Sequence, residues 1–579
     1  MGLSFSTLRR LQLGGIRDAT SLLSIAAGGW ATHPGLAPFG FTASAAAGVG
    51  LGALGGAMLG KRFNAEVGFD TLLGGELRIN SSAPPPRTED GMLLGYIVDT
   101  GEPLYIPMDE WVRHGMIAGQ SGVGKTVSAS WIEYQQIQRG GGLLMIDGKL
   151  DPDNLDLLRD MAASAGRLDD LLVISPGDPA NSNSYNPILF GDPDEVASRC
   201  MSLIPATESD AGADHYRQSA NTALTTLFNA IQACGLAYSF ADLYVLLTNA
   251  EAMNWLEKRV PYGSEAQKQL SLFIHNYKRP SKGPGGGNGQ ELIDPSKLKD
   301  TLGGIGGRLF QFGTGKFGQV LNTYSPEVRL KEAILANKII YIALPTMGKA
   351  EAASSFGKMA IGDLRTAIAQ IQALPKHMRP RIPFLCFYDE CGSYVTQAWS
   401  RMFEQARSAR MMMLPAFQTK ANLEVLGEEL RAMVSGNTLT KLFFKPGEPE
   451  TAEWMSEMIG KEFRTTHTIT ANRGEGASKA AHMSSKPAGW TDSGATAFSE
   501  TTELEYKITG TELMMLGKGE AIVNYDGSKI YHIRVPHVRF ENERELGSPI
   551  NRSRPKFVKG LDFMKNVDRW TGKDRGIEL

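Results

Sequence analysis

Residues 113–126 read RHGMIAGQSGVGKT, and no other run constrains the chain as tightly. Gly119-Gln120-Ser121-Gly122-Val123-Gly124-Lys125-Thr126 fits the spacing GxxxxGK[ST]. Apolar Met116-Ile117-Ala118 before it reads as a short strand, and SASWIEYQQIQ after it reads as a helix. A strand, a glycine-rich turn and a helix in this order predict an α/β domain with a parallel sheet. The glycines let the backbone turn so that its N–H groups point inward at a phosphate. Gly119, Ser121, Gly122, Val123, Gly124, Lys125, Thr126 and Val127 are therefore the candidate nucleotide-binding residues. Lys125 is placed to neutralise β/γ-phosphate charge, and Thr126 offers a hydroxyl to Mg²⁺. The helix from Val127 adds the positive end of its dipole. ATP and Mg²⁺ are the expected ligands.

Two strand-end acids compete to complete such a site. LLMID ends at Asp147, and FLCFYDE (384–390) ends in Asp389-Glu390. Hydrolysis needs one carboxylate for the metal-bound water and a second to orient or deprotonate the attacking water. Only the second strand supplies both. Asp389 is assigned to the Mg²⁺ side, through water, and Glu390 is assigned as the base. Asp147, in DGKLD, ends the strand after the first helix and lies on the same sheet edge. Gln418, at the end of RMMMLPAFQ (410–418), is placed to sense a γ-phosphate. Arg407 and Arg410 lie before that strand, and in a ring of subunits either could reach a neighbour's nucleotide as an arginine finger. Arg407 is the preferred candidate.

Further strands continue the α/β rhythm: LLVISP (171–176), KIIYIALP (338–345) and TKLFFK (440–445). AIVNYDGSKIYHIRV (521–535) reads as a hairpin turning at Asp526-Gly527. Residues 191–310 read as an all-α insertion. It opens with Asp192 as cap, Pro193, and acids Asp194 and Glu195, and Ser239 with Asp242 starts a later helix. Residues 278–290, KRPSKGPGGGNGQ, form a basic, then flexible loop. Residues 464–500 are polar and rich in Gly, Ser, Thr and Ala, which predicts a mobile loop. Arg552, Arg554, Lys556 and Lys559 make a small basic run near the end.

Glycine is in excess, 65 of 579 residues, or about 11% against a usual value of about 7%. Part of that excess lies in LAPFGFTASAAAGVGLGALGGAMLG (36–60), which has no charge and is long enough to span a bilayer. Small residues recur every fourth position from Gly40 to Gly60, a stripe suited to close helix packing. A weaker apolar stretch at 19–35 ends in the turn His33-Pro34-Gly35. Arg9, Arg10 and Arg17 flank one end of the pair and Lys61 and Arg62 the other. The positive-inside rule then predicts two spans with both ends, and the bulk of the chain, in the cytoplasm. Four cysteines are too few for a disulfide scaffold and fit a reducing compartment. The formal net charge of −2 excludes a small DNA-coating protein, but not a ring motor whose pore loops alone need be basic. The expected division is 1–62 membrane hairpin, 63–190 with 311–540 nucleotide domain, 191–310 insertion and 541–579 tail.

Taken in order, the membrane pair, GQSGVGKT, LLMIDGK, the helical insertion, FYDECGSY, EQARSARMMMLPAFQ and GNTLTKLFF resemble a type IV coupling protein. The resemblance covers residues 1–540 and is closest to the DotL/TrbC branch of TraD/TraG-like proteins, whose look GRLFQFGTGKFGQVLN (307–322) shares. It implies a RecA-like, hexameric ATPase at the bacterial inner membrane. Such a motor passes relaxase-bound single-stranded DNA, or protein substrates, to the other components of a type IV secretion channel. The short loop between the spans and the short tail favour DNA transfer over dedicated effector export. Alternatives are an effector receptor of a type IVB system and an FtsK/HerA-like translocase of duplex DNA. A protein-docking platform with ATP as a structural ligand is a further reading, against which Glu390 argues, since binding alone needs no base.

Overall fold

The computed structural model describes residues 76–79, 91–204, 211–279, 292–346, 348, 350–396, 398–475, 492–540, 552 and 556–563. The expected membrane hairpin lies outside them. Among the described residues no helix is long and apolar enough to cross a membrane.

An 11-stranded sheet organises the molecule. In chain order its strands are β1 Met92–Ile97, β2 Pro103–Ile106, β3 Gly115–Ala118, β4 Leu143–Asp147, β5 Leu171–Ile174 and β6 Ile339–Ala343. There follow β7 Phe384–Asp389, β8 Met411–Phe417, β9 Thr440–Phe443, β10 Glu520–Tyr525 and β11 Lys529–Arg534. Across the sheet they run β2-β1-β11-β10-β9-β3-β8-β7-β4-β6-β5. From β9 to β5 every pairing is parallel. The β10–β11 hairpin and β1–β2 extend the other edge antiparallel.

The parallel strands are continuous apolar runs because both faces are covered. Side chains alternate between two cores. Leu144, Ile146, Ile340 and Ile342 enter one, and Leu143, Met145, Ile339 and Tyr341 the other. Each fully buried Ile or Leu contributes roughly 1.5–3 kcal/mol, so these runs fix which strands lie at the centre.

Helix α1, Lys125–Gln138, covers the second core and is buried over most of its length. Its buried amides bond to the backbone at the strand ends and edges. The Leu93 N–H donates to Gln135 Oε1 and Gln135 Nε2 donates back to the Leu93 carbonyl, both at 2.9 Å. Gln136 Nε2 donates to the carbonyls of Gly142 and Pro383.

Between β5 and β6 lie α2, Pro193–Met201, which starts with the Asp192/Glu195 capping box, and α3, Ala211–Ala233. Helix α4, Phe240–Thr248, starts with the Ser239/Asp242 box, and α5, Pro295–Gly313, packs on it. A two-residue antiparallel ladder, Lys278–Arg279 with Leu292–Ile293, adds a strand pair too short to show as a sequence period. Arg199 ties α2 to the helix that follows β6. It donates to Asp363 Oδ1 (3.0 Å) and Thr366 Oγ1 (3.1 Å) on α6, Ala350–Gln372, while the Tyr185 hydroxyl donates to Asp363 Oδ2 (2.7 Å).

Residues 464–475 and 492–500 differ from the expected loop, and 476–491 lie outside the described residues. Lys461–Glu475 and Asp492–Tyr506 pair in register as a long antiparallel hairpin. The composition that predicted a loop also holds TTHTIT and FSETTEL, whose β-branched and aromatic residues suit strands even without an apolar face. Residues 559–563 pack against the start of α4. Leu561 N–H donates to the Ala237 carbonyl, Ala237 N–H to the Lys559 carbonyl, and Phe563 N–H to Asp242 Oδ1. Of the basic run, Arg552 donates to the carbonyls of Pro179 and Ala180.

Candidate nucleotide site

The site grows from four adjacent strands. β3, β8, β7 and β4 are neighbours, and their C-terminal ends carry Gly119, Gln418, Asp389-Glu390 and Asp147. Ligands of open parallel sheets bind along this edge. Gly124 takes φ 118° to cap α1, a conformation that excludes a side chain and leaves the first-turn N–H groups without a side-chain partner. Buried Lys125 folds back, donating Nζ to the carbonyls of Gly119 (2.7 Å) and Gln120 (2.9 Å). Burial lowers its ammonium below the usual range, with Glu390 opposing, Lys149 adding to the fall and Asp389 opposing.

Asp147 and Asp389 stand side by side in register, yet their surroundings differ. Asp147 Oδ1 accepts from the N–H groups of Lys149 (2.8 Å) and Leu150 (3.0 Å). Its Oδ2 accepts from Asp151 N–H (3.1 Å), Asn154 Nδ2 (3.1 Å) and the Tyr341 hydroxyl (2.7 Å). Asp147 is saturated and builds the turn after β4. Asp389 Oδ1 accepts only from Glu390 N–H, at 3.1 Å. Its Oδ2 is buried with no hydrogen-bond partner, the nearest cation being Lys149 Nζ at 3.8 Å. Burial pushes Asp389 up to about 6; Lys149 pulls it down, and Asp147 and Glu390 push it further up. An orphaned buried carboxylate oxygen beside a phosphate-binding loop suits a cation-bound water. The residues present thus fit Mg²⁺, with Thr126 and Asp389 as the groups to hold it.

Glu390 follows with φ 48°, a left-handed conformation that turns its side chain away from the strand direction. Gln418 Nε2 donates to Glu390 Oε1 at 2.6 Å, and Lys149 Nζ pairs with the same oxygen at 2.6 Å. Lys149 is the site residue that sequence reasoning missed, although its signal was present in DGKLD. Gly148 lets the turn come close: a Cβ there would lie 2.8 Å from the Asp389 carbonyl oxygen. Tyr394 pins the strand end by donating to the carbonyls of Asp389 (2.7 Å) and Ile146 (3.2 Å).

Lys125, Asp389, Glu390 and Gln418 are thus brought together, and Arg407 is not among them. It is exposed at the N-terminal edge of β8, opposite the phosphate loop. There it lines a cavity of about 400 Å³ with Arg113, His114, Lys441 and Asp526. Arg410 has φ 58° and donates to the Arg381 carbonyl.

Residues 383–503 match the family model for the TraM recognition site of TraD and TraG. The type 4 coupling protein DotL of Legionella pneumophila is 24% identical over 423 residues, which cover 64% of this chain and 53% of DotL. The chain thus spans about half the length of that relative. Among solved structures, plasmid coupling protein TrwB in complex with ADP and Mg²⁺ superposes with a TM-score of 0.51 at 16% identity, covering 81% of this chain and 93% of TrwB. TrwB with a non-hydrolysable ATP analogue gives 0.51 at 16%, covering 82% and 92%. At this identity the likeness concerns the fold.

Proposed function

The chain is a relative of the type IV coupling proteins, and from that we propose an ATP-hydrolysing motor that moves single-stranded DNA with its relaxase to a type IV secretion channel. The convergence of Lys125, Asp389, Glu390 and Gln418 on one sheet edge carries this reading. Lys125 leaves its loop carbonyls for the β/γ-phosphates. Thr126, and Asp389 through water, would hold Mg²⁺, which when bound offsets phosphate charge. Glu390 takes the proton of the attacking water, and Gln418 holds Glu390 and faces the γ-phosphate. The motor works as a homo-hexameric ring, anchored in the inner membrane by residues 19–60, with Arg407 completing the neighbour's site. Residues 383–503 match a recognition-site model, and the exposed parts of that stretch would dock a protein partner.

The resemblance to the DotL/TrbC branch implies a second reading, a receptor for protein substrates. One set of variants tests both. Lys125→Ala abolishes ATP turnover, and Glu390→Gln binds ATP while losing about 10²–10⁴-fold in kcat, the range for a general base. Wild-type turnover by either removes its assignment. Cargo cross-linked to Glu390→Gln in cells is DNA with relaxase on the first reading. Protein alone selects the second.

A further inference from the structure

We infer that Lys149 is a positioning residue for the base Glu390, an inference that rests on the ATPase reading above. The whole turn that carries it is built for one placement. Asp147 spends both oxygens on the turn's own N–H groups, on Asn154 and on Tyr341, so it has none to offer a ligand. Leu150 sits at φ 57°, a conformation that a branched aliphatic residue adopts only when its neighbours hold it there. Gly148 permits the approach to the Asp389 backbone. What this scaffold presents is the Lys149 ammonium, 2.6 Å from Glu390 Oε1 and 3.8 Å from Asp389 Oδ2.

The pairing is asymmetric. Lys149 and Gln418 both converge on Oε1. An oxygen holding an ammonium and an amide at this range has little room for a water, so Oε2 becomes the proton acceptor. Two donors from different strands also fix the carboxylate plane. The left-handed backbone of Glu390 alone would leave its side chain free to rotate. Lys149 therefore acts through Glu390, and Lys125 remains the lysine for the phosphates.

Steady-state ATPase kinetics and binding of a fluorescent ADP analogue, on the full chain, test this. Lys149→Ala lowers kcat by about 10- to 100-fold, the range for removing a partner that orients a reacting group, with KM and ADP affinity within about twofold. Lys149→Arg recovers most of the loss. Lys149→Ala placed on Glu390→Gln adds no further loss, since the group it orients is already gone. A rise in KM with kcat intact would make Lys149 a nucleotide ligand and overturn the inference, as would losses that multiply in the double variant. Retained ADP affinity excludes misfolding as the cause. If the wild type turns over and Glu390→Gln does not, but Lys149→Ala is normal, only the positioning role falls. If the wild type itself does not turn over, the ATPase reading falls first.

Discussion

Single residues in this sheet are decided by partners far away in sequence. His114 shows the principle at the edge opposite the nucleotide site. It is 2% exposed, at φ 68°, and its Nδ1 accepts from the Met413 N–H at 3.2 Å. Burial lowers its imidazole to about 4, with the Phe403 backbone opposing and Arg407 contributing. The folded value lies below the ordinary 6.5, so the neutral ring stabilises the fold fully above that pH. This stabilisation is lost as pH falls from 6.5 toward 4, and amounts to about 3 kcal/mol. Asn tolerates the left-handed backbone, so His114→Asn should flatten the fall of the urea midpoint across that window. An unchanged pH slope would show that His114 is not the group titrating. The fates of Asp147 and Asp389 follow the same logic. Both end apolar strands, but Asp147 is saturated by its own turn, by Asn154 and by the Tyr341 hydroxyl from a strand 194 residues on, while Asp389 is not.

Elements were legible where a local signal carries their physics. The phosphate loop, the capping boxes at Asp192 and Ser239 and the apolar runs of β4, β6, β7 and β8 are each written within a few consecutive residues. The hairpin of Lys461–Glu475 and Asp492–Tyr506 was not, because its register depends on pairing between two polar stretches. Lys149 was missed for a similar reason: its partner Glu390 becomes a neighbour only once β4 lies beside β7. Helix α2 depends on another distant pairing. Its Arg199 side chain is 1% exposed and faces Asp363, which burial pushes up to about 6 while Arg199 and Tyr185 oppose. Arg199→Met leaves that carboxyl without its partner and should cost about 3–5 kcal/mol, read as a lower thermal midpoint. Adding Asp363→Leu should recover most of it. If the double variant is no more stable than the single, the loss is one of packing rather than of an unpaired acid.

Across the whole molecule, the two edges of the parallel sheet carry different chemistry. Phosphate loop, base and Gln418 crowd the C-terminal edge, and exposed Arg407 stands at the other. In the proposed ring, Arg407 would serve a neighbouring copy's site rather than its own. Mixed rings doped with Arg407→Ala should therefore lose ATPase activity out of proportion to the mutant fraction. A loss in simple proportion would leave Arg407 without a role between subunits. The nucleotide site itself is assembled from residues 119–126, 147–149, 389–390 and 418, which only the finished order β3-β8-β7-β4 brings together. Contacts of such sequence separation are slow to form because loop closure must come first. A ribosome-bound or half-folded chain thus holds a phosphate loop with no base beside it. On the proposed ATPase reading, turnover would have to wait until synthesis has passed Gln418, so an unfinished chain would hold nucleotide without spending it.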